Sequence, residues 1–208
     1  MVLGRFQSVK NEVDEDAARD HGIRIVRRMT GGGAMFVEPE NVITYSIYAP
    51  PGLVAGMSSV DSYAFLDEWV VEAIRSLDID AWYEPINDIT SSDGKIGGAA
   101  QARRPGAVLH HVTMSYEMNA PKMLEVLRIG QEKISDKAIQ SVEKRVGPLH
   151  HQTQLPREEI ISRMISTFAE RNTESGLIEE RISPEELAEA EDLARTKYDT
   201  REWIYTIP

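Results

Sequence analysis

Two stretches concentrate residue types that could do chemistry together. The first, Arg27-Arg28-Met29-Thr30-Gly31-Gly32-Gly33-Ala34-Met35-Phe36, sets three glycines behind two arginines. Consecutive glycines reach backbone angles closed to other residues, so successive N–H groups can turn into one concavity. Such a nest of amides binds anions, phosphate above all. The two arginines would clamp the phosphate, and Met35 and Phe36 would wall a flat or apolar group. The same composition also suits a flexible hairpin loop with solvated arginines. The second stretch, Lys95-Ile96-Gly97-Gly98-Ala99-Ala100-Gln101, reads as another glycine-rich loop, this one carrying a lysine. Lysine is a compact donor that can follow negative charge growing on a phosphate. Preorganised donors of this kind are often the largest catalytic contribution. Asn87-Asp88 offer oxygens for Mg2+, an ion that commonly arrives with a nucleotide. The first loop is no Walker A motif, since no Gly-Lys-Ser/Thr follows, and it is no Rossmann fingerprint.

Histidine and cysteine narrow the chemistry further. His110 and His111 are neighbours in an alternating stretch, so they face opposite ways and cannot share a metal. His111, on the more polar face, could contact a substrate or make a structural hydrogen bond. His150-His151 fall in an expected loop and His21 at an expected helix end. A zinc site needs three or four converging ligands, and no such pattern is present. The chain has no cysteine, which removes disulfides, thiolate metal ligands and cysteine nucleophiles together. The net charge of −11, from 23 basic and 34 acidic residues, argues against a general nucleic-acid binder. The acid concentrates in residues 170–192, whereas Arg24, Arg27, Arg28, Lys95, Arg103 and Arg104 cluster near the two glycine-rich stretches. A basic site in an acidic body suits a small anionic ligand. No apolar run approaches the roughly 20 residues of a membrane span, and no signal peptide opens the chain, so no membrane partner and a cytoplasmic location are expected.

The elements that must carry these residues mix strands with helices. At 208 residues, 41% hydrophobic and 27% charged, the chain can bury a core and reads as one domain over 1–208, with a core in 1–172 and a helical segment in 173–208. A strand opens at Met1–Gly4, a weak acidic helix runs from Asn11 to His21 with Gly22 as its stop, and Ile23–Val26 alternates as a strand. A further strand covers Val42–Tyr48. Phe65, Leu66, Trp69, Val70, Ala73, Ile74 and Leu77 make one broad apolar helix face, which places Trp69 in the core. Asp78–Tyr83 returns to the sheet. Val108 to Met118 alternates strictly, with Val108, His110, Val112, Met114, Tyr116 and Met118 on the apolar side. Helices follow at Pro121–Arg128 and Pro156–Arg171. The last opens on Ser183-Pro184-Glu185-Glu186, an N-cap serine with proline in the first turn and a glutamate placed for a capping box. Without regular β-α-β alternation, the pattern predicts an α+β fold.

At these residues the sequence resembles the lipoate–protein ligase A family, within the biotin/lipoate ligase fold. Val2-Leu3-Gly4-Arg5-Phe6-Gln7 is similar to the family's V-x-G-x-x-Q element, and Arg27–Phe36 to its R-R-x-[ST]-G-G-G-A-V-[FY] signature. Asn87-Asp88 and Lys95–Ala100 resemble its N-D and K-[IV]-x-G-[SA]-A elements, in the same order. Lys197-Tyr198-Asp199-Thr200-Arg201-Glu202-Trp203 is similar to the K-Y-x-T-x-E-W that closes the catalytic domain. Val37-Glu38 depart from the pattern, which has His-Asp there. The resemblance implies a mixed, largely antiparallel sheet flanked by helices. Against the family pattern the strand, helix and strand expected before Val2 are missing, as is the accessory C-terminal domain of the longer ligases.

The resemblance further implies a two-step reaction. ATP and lipoate (or octanoate) give an acyl adenylate, and a lysine of an acceptor lipoyl domain then takes the acyl group. By match, Arg28, Gly33, Ala34, Met35, Phe36 and Lys95 bind the nucleotide. Thr30, Gly31, Gly32, Lys95, Gly98 and Ala99 bind lipoate. Lys95 is the catalytic residue, and Asn87 and Asp88 lie by the phosphates, Asp88 as a ligand of Mg2+. The implied partners are lipoyl domains of 2-oxoacid dehydrogenase complexes or the glycine cleavage H protein, and a separate accessory polypeptide. Relatives on this fold transfer octanoyl or lipoyl groups through a cysteine thioester, which needs a thiolate; the absence of cysteine favours ATP-driven ligation. A cysteine-free lipoyltransferase fed with preformed acyl adenylate and a non-catalytic acyl-binding subunit of a split ligase are the alternatives.

Overall fold

The computed structural model describes residues 1–128, 146–172 and 176–207. By spatial contact the chain groups into two units: Met1–Val37, Pro121–Ser135 and Ile178–Pro208 in the first, and Glu38–Ala120 and Asp136–Leu177 in the second.

The second unit is built on the apolar helix read from the sequence. This helix, α3 (Ser59–Arg75), is started by Ser58, whose hydroxyl accepts from the Asp61 amide at 3.1 Å. It packs with a second long helix, α6 (Arg157–Arg171), which starts behind Pro156. The strands are β3 (Val42–Ala49), β4 (Ala81–Glu84), β5 (Asp88–Ser91), β6 (Gly94–Arg104) and β7 (Ala107–Ser115). Among the described residues they form one antiparallel sheet in the order β3-β7-β6-β5-β4. Val70 and Ile74 of α3 and Ile160 of α6 meet Ile43, Val112 and Met114 of the sheet in one buried cluster. Trp69 stands partly buried at its margin, edge-on to Tyr45 and Phe168 at 4.9 and 5.0 Å.

The sheet corrects one expectation. The stretch from Lys95 to Gln101, read as a glycine-rich loop, is the middle of β6, hairpinned to β5 and β7. Its small residues serve packing. A Cβ on Gly97 would stand 2.9 Å from Met114 Cγ and 3.0 Å from the Thr113 carbonyl oxygen, so only glycine fits. His150-His151 also lie in a short helix, α5 (Leu149–Gln152), in place of the expected loop.

The apolar face of β7 holds a polar group. His110 is fully buried, and its Nε2 lies 2.6 Å from Oδ1 of Asp67, itself fully buried on α3. The Tyr45 hydroxyl donates to the same oxygen at 2.8 Å. Asp67 Oδ1 serves both His110 and Tyr45, while Asp67 Oδ2 and His110 Nδ1 are buried with no hydrogen-bond partner among the described residues. His110 is thus a core histidine held by a helix carboxylate.

In the first unit β1 (Val2–Leu3) pairs parallel with β2 (Val26–Arg27). The expected helix over Asn11–His21 is two helices, α1 (Val9–Glu12) and α2 (Glu15–Asp20). Buried Val13 breaks it by turning extended to bridge Leu127, the residue after α4 (Ala120–Val126). Asp14 then caps α2 by accepting from the Ala17 amide at 3.0 Å. The closing helix α7 (Pro184–Leu193) carries the capping box read from the sequence, Ser183 with Glu186. A π-helical turn (Ala194–Tyr198) and α8 (Arg201–Ile204) follow.

Burial first, and then the neighbouring Asp67 carboxylate, push the Tyr45 phenol well above its ordinary range. The folded chain keeps this proton while the unfolded chain releases it from about pH 10. Tyr45 therefore contributes fully below pH ~10, and above it stability falls by at most about 1.4 kcal/mol per pH unit. Urea unfolding at pH 9, 10 and 11 should show a shallower decline for Tyr45→Phe than for the parent. Parallel slopes would remove Tyr45 from this role.

Candidate functional site

The two glycine-rich stretches lie one in each unit. In the first unit the loop from Arg28 to Met35 is closed onto β1. Val2 and Met35 exchange backbone hydrogen bonds, both 2.9 Å, and the Arg5 amide donates to the Thr30 carbonyl at 2.8 Å. The loop presses so closely on Gly4 that a Cβ there would fall 1.9 Å from the Gly32 carbonyl oxygen. Gln7 completes the joint by accepting from the Gly4 amide at 2.9 Å.

The two arginines divide between structure and site. Consecutive residues of a strand face opposite ways, and Arg27 and Arg28 follow that rule at the end of β2. Arg27 is 2% exposed, and it donates to the carbonyls of Gly4 (2.8 Å), Gln7 (2.7 Å) and Ile204 (2.8 Å), with longer bonds to Arg5 and Ile207. Burial, and then the charge of Arg5, lower its pKa. It is therefore no phosphate clamp, contrary to the reading of the arginine pair. Arg28 gathers the loop: its guanidinium donates to the carbonyls of Gly31 (2.7 Å) and Gly33 (2.9 Å) and to the Thr30 hydroxyl (3.1 Å). Thr30 is buried, while Gly32 and Gly33 are exposed and Ala34, Met35 and Phe36 half-buried. Phe6 stands 77% exposed beside Gly31.

In the second unit, β6 brings Lys95 onto Asp88. The Lys95 ammonium lies 2.7 Å from Asp88 Oδ1, with the two side chains 45% and 32% exposed. Strand pairing explains the approach. Ile89 pairs Gly97 and Thr90 pairs Lys95, so Ile96 is the extra residue of a β-bulge. The bulge sends Ile96 and Gly97 both inward and leaves Lys95 on the face of Gly98, the partner of Asp88 in register. A Cβ on Gly98 would stand 3.1 Å from Lys95 Nζ, so the bare glycine lets the lysine lie across the strand. Ala99 turns the other way into the core with Val112. Asn87 locks the strand ends, its amide donating to the Ala99 carbonyl at 2.5 Å while the Ala99 amide donates to the Asn87 carbonyl at 2.8 Å. An ion pair this exposed is worth only about 0–1 kcal/mol. Lys95 can therefore leave Asp88 for an anion at little cost.

His21, His150 and His151 take structural partners. His150 Nδ1 meets the Tyr116 hydroxyl at 3.1 Å, His151 pairs Glu117 at 3.1 Å, and His21 pairs Glu125 at 2.5 Å. Among the described residues no three His, Asp or Glu side chains gather as a metal site. No helix there is long and apolar enough to cross a membrane. The sequence reading missed the depth of Arg27 and the bulge at Ile96. Strand alternation could have separated Arg27 from Arg28, whereas no local signal marks the bulge.

Gly4→Ala places a methyl group against backbone, which no rotamer relieves. Unfolding free energy should fall by about 2 kcal/mol or more, and hydrogen exchange at the Met35 amide should accelerate. An unchanged urea midpoint with slow Met35 exchange would show that the joint tolerates a side chain.

The chain matches the model of the lipoyl protein ligase A/B catalytic domain over residues 1–169. It is 29% identical to lipoate-protein ligase A subunit 1 of Thermoplasma acidophilum, over 98% of this chain and 79% of that protein. Lipoate–protein ligase 1 of Staphylococcus aureus is 28% identical over 99% of this chain, which spans 61% of that longer protein. Octanoyltransferase LipM of Geobacillus kaustophilus is 26% identical, over 99% of this chain and 82% of its own. Among solved structures, an archaeal bi-partite lipoate protein ligase from T. acidophilum superposes with a TM-score of 0.86 at 30% identity, covering 97% of this chain and 78% of that one. A T. acidophilum protein described as a putative lipoate protein ligase with bound lipoic acid gives 0.83 at 27%, covering 100% and 82%. A lipoate-protein ligase A bound with ATP gives 0.83 at 28%, covering 98% and 80%. The α+β fold with its antiparallel sheet is the one these ligase structures share, and the chain belongs to the lipoyl protein ligase A/B catalytic domain family.

Proposed function

We propose that this chain is the catalytic part of an ATP-dependent lipoate–protein ligase. A carboxylate oxygen of lipoate or octanoate attacks the α-phosphorus of ATP, and pyrophosphate leaves as the acyl–phosphate bond forms. The amine of an acceptor lysine then attacks the acyl carbon; the bond to AMP breaks, and the amine proton goes to solvent. The observation that carries this reading is the Lys95 ammonium, laid across Gly98 and held, among the described residues, by the half-exposed Asp88. A mobile ammonium of this kind can stabilise charge on the α-phosphate in the first step and on the acyl oxygen in the second. Arg28 shapes the loop whose Gly33–Phe36 stretch receives the nucleotide. Thr30, Gly31, Gly32, Gly98 and Ala99 are assigned to the lipoyl group, Ala99 through its backbone. Asp88 supplies one carboxylate, which suits the sort of Mg2+ that arrives on nucleotide phosphates and keeps most of its other ligands from them. Such an ion would neutralise phosphate charge when bound.

Two relatives support the substrates, one with ATP and one with lipoic acid bound. The octanoyltransferase relative favours a second reading, transfer from a preformed acyl donor. Since the chain has no cysteine, that donor would be an acyl adenylate and not an enzyme thioester. The acceptor on either reading is a lipoyl domain, of a 2-oxoacid dehydrogenase complex or of the glycine cleavage H protein. The bi-partite relative supports a separate accessory polypeptide as a further partner.

Mass spectrometry of a lipoyl domain incubated with the chain, ATP and lipoate tests the reading. A gain of one lipoyl group that depends on ATP is expected; gain from supplied lipoyl adenylate alone would select the transferase. Lys95→Ala should cut the rate by about 10²-fold or more, as loss of a preorganised donor does elsewhere. Its urea midpoint should stay within about 0.5 kcal/mol of the parent, as for other exposed positions. Near-normal turnover in that variant would take Lys95 out of the mechanism.

A further inference from the structure

Strand β3 ends one side of the antiparallel sheet, and among the described residues no strand pairs with its outer edge. The ladder to β7 fixes which groups face outward. Asn41 continues the β3 register opposite Tyr116, and its carbonyl accepts from the Tyr116 amide at 2.9 Å. Hydrogen-bonded pairs alternate along an antiparallel ladder. Ile43, Tyr45, Ile47 and Ala49 therefore turn their amides and carbonyls to β7, and Val42, Thr44, Ser46 and Tyr48 turn theirs away. Arg157, outside the ladder, donates to the Val42 carbonyl at 3.0 Å, as that direction requires. Among the described residues the outward groups of Thr44, Ser46 and Tyr48 meet no backbone partner. Edges that stay single are commonly short, or carry lysine, proline or a bulge. β3 is eight residues long, holds an unbroken register and contains no charged residue or proline, whereas the opposite edge, β4, has four residues and ends on Glu84. An apolar cleft of about 310 Å³, lined by Ile47, Leu53, Phe65, Leu66, Trp69 and Phe168, borders the same strand.

The four outward residues are spaced to match their own copy. Run antiparallel against itself with Tyr45 on a twofold axis, β3 sets Val42 opposite Tyr48 and Thr44 opposite Ser46. These combinations, β-branched with aromatic and hydroxyl with hydroxyl, are among the cross-strand pairs that stabilise sheets, and no like charges meet. All four outward amides and carbonyls then find partners. We propose that the outer edge of β3 pairs with the β3 of a second copy of this chain, continuing the five-stranded sheet across a twofold dimer. Opposed residues of paired strands share a face, so the second copy brings its own α3 and α6 to the side of the sheet that holds the apolar cleft.

Sedimentation equilibrium of the full chain, from micromolar to millimolar concentration, tests the pairing without reference to ligase turnover. At about 0.15 M salt, which screens the −11 charge of each chain, a monomer–dimer equilibrium is expected. Thr44 and Ser46 are exposed, so charges are accommodated there in the monomer. The double variants Thr44→Lys/Ser46→Lys and Thr44→Glu/Ser46→Glu set like charges opposite one another, and each should raise the dimer Kd about tenfold or more. Their equimolar mixture should recover a dimer at least as tight as the parent, since each lysine then meets a glutamate of the other copy. Ser46→Pro removes one outward amide and no bond to β7, and it should weaken the dimer to a similar degree. Thermal unfolding checks the fold of every variant; if the proline destabilises the monomer, the charge swap decides. A parent that stays monomeric at millimolar concentration overturns the proposal. So does a dimer whose Kd is unmoved in both charged double variants, or a mixture that associates no more tightly than either variant alone.

Discussion

A buried guanidinium that meets no carboxylate among the described residues organises the first unit. Removing a charge from water costs several kcal/mol per ion, and among the described residues Arg27 offsets this with backbone carbonyls. Hydrogen bonds to charged groups are worth about 1.5–3 kcal/mol each, so several must be made at once. The acceptors come from two distant pieces of chain, Gly4–Gln7 and Ile204–Ile207. Holding them together fixes the start of the chain against its closing helix. Only then can Gly4 present bare backbone to Gly32, and only then does the loop gathered by Arg28 keep one shape. The adjacent arginines perform unlike tasks because a strand turns one inward and the next outward.

Strand β6 meets two demands within a few residues. Its inward positions must be small where Met114 crosses, and Gly97 meets that demand. Its outward face must let a lysine lie flat, and Gly98 meets that one. A regular strand would put Lys95 and Gly97 on the same side, with the lysine pointing into the core. The extra residue at Ile96 resets the alternation, so the lysine reaches Asp88 and a branched side chain fills the core instead.

Much of this was legible in the residues. The periodicity of α3, the alternation of β7 and the capping box of α7 are local patterns, and each element lies within a few residues of its expected place. The same holds for the two stretches of chemical interest as sequence motifs. What was not legible depends on distant partners. Val13 breaks a helix because Leu127 pairs with it, more than a hundred residues on. Lys95–Gln101 is a strand because β5 and β7 flank it, although its glycines read locally as a loop. His110 sits on an apolar face because Asp67 of α3 reaches it, and α3 otherwise reads as apolar on that side.

The nucleophile inventory connects this geometry to the proposed chemistry. A chain without cysteine has no thiolate on which to park an acyl group. Lys95, as an ammonium on a carboxylate, presents N–H donors and no lone pair. Serine and threonine need an adjacent base to attack, and the buried His110 is already committed to Asp67 in the core. On the proposed reading, an acyl group is therefore better carried on phosphate than on the protein. That proposed route asks for amides and cations that hold an anion in place while its charge moves, and for no covalent bond to the protein.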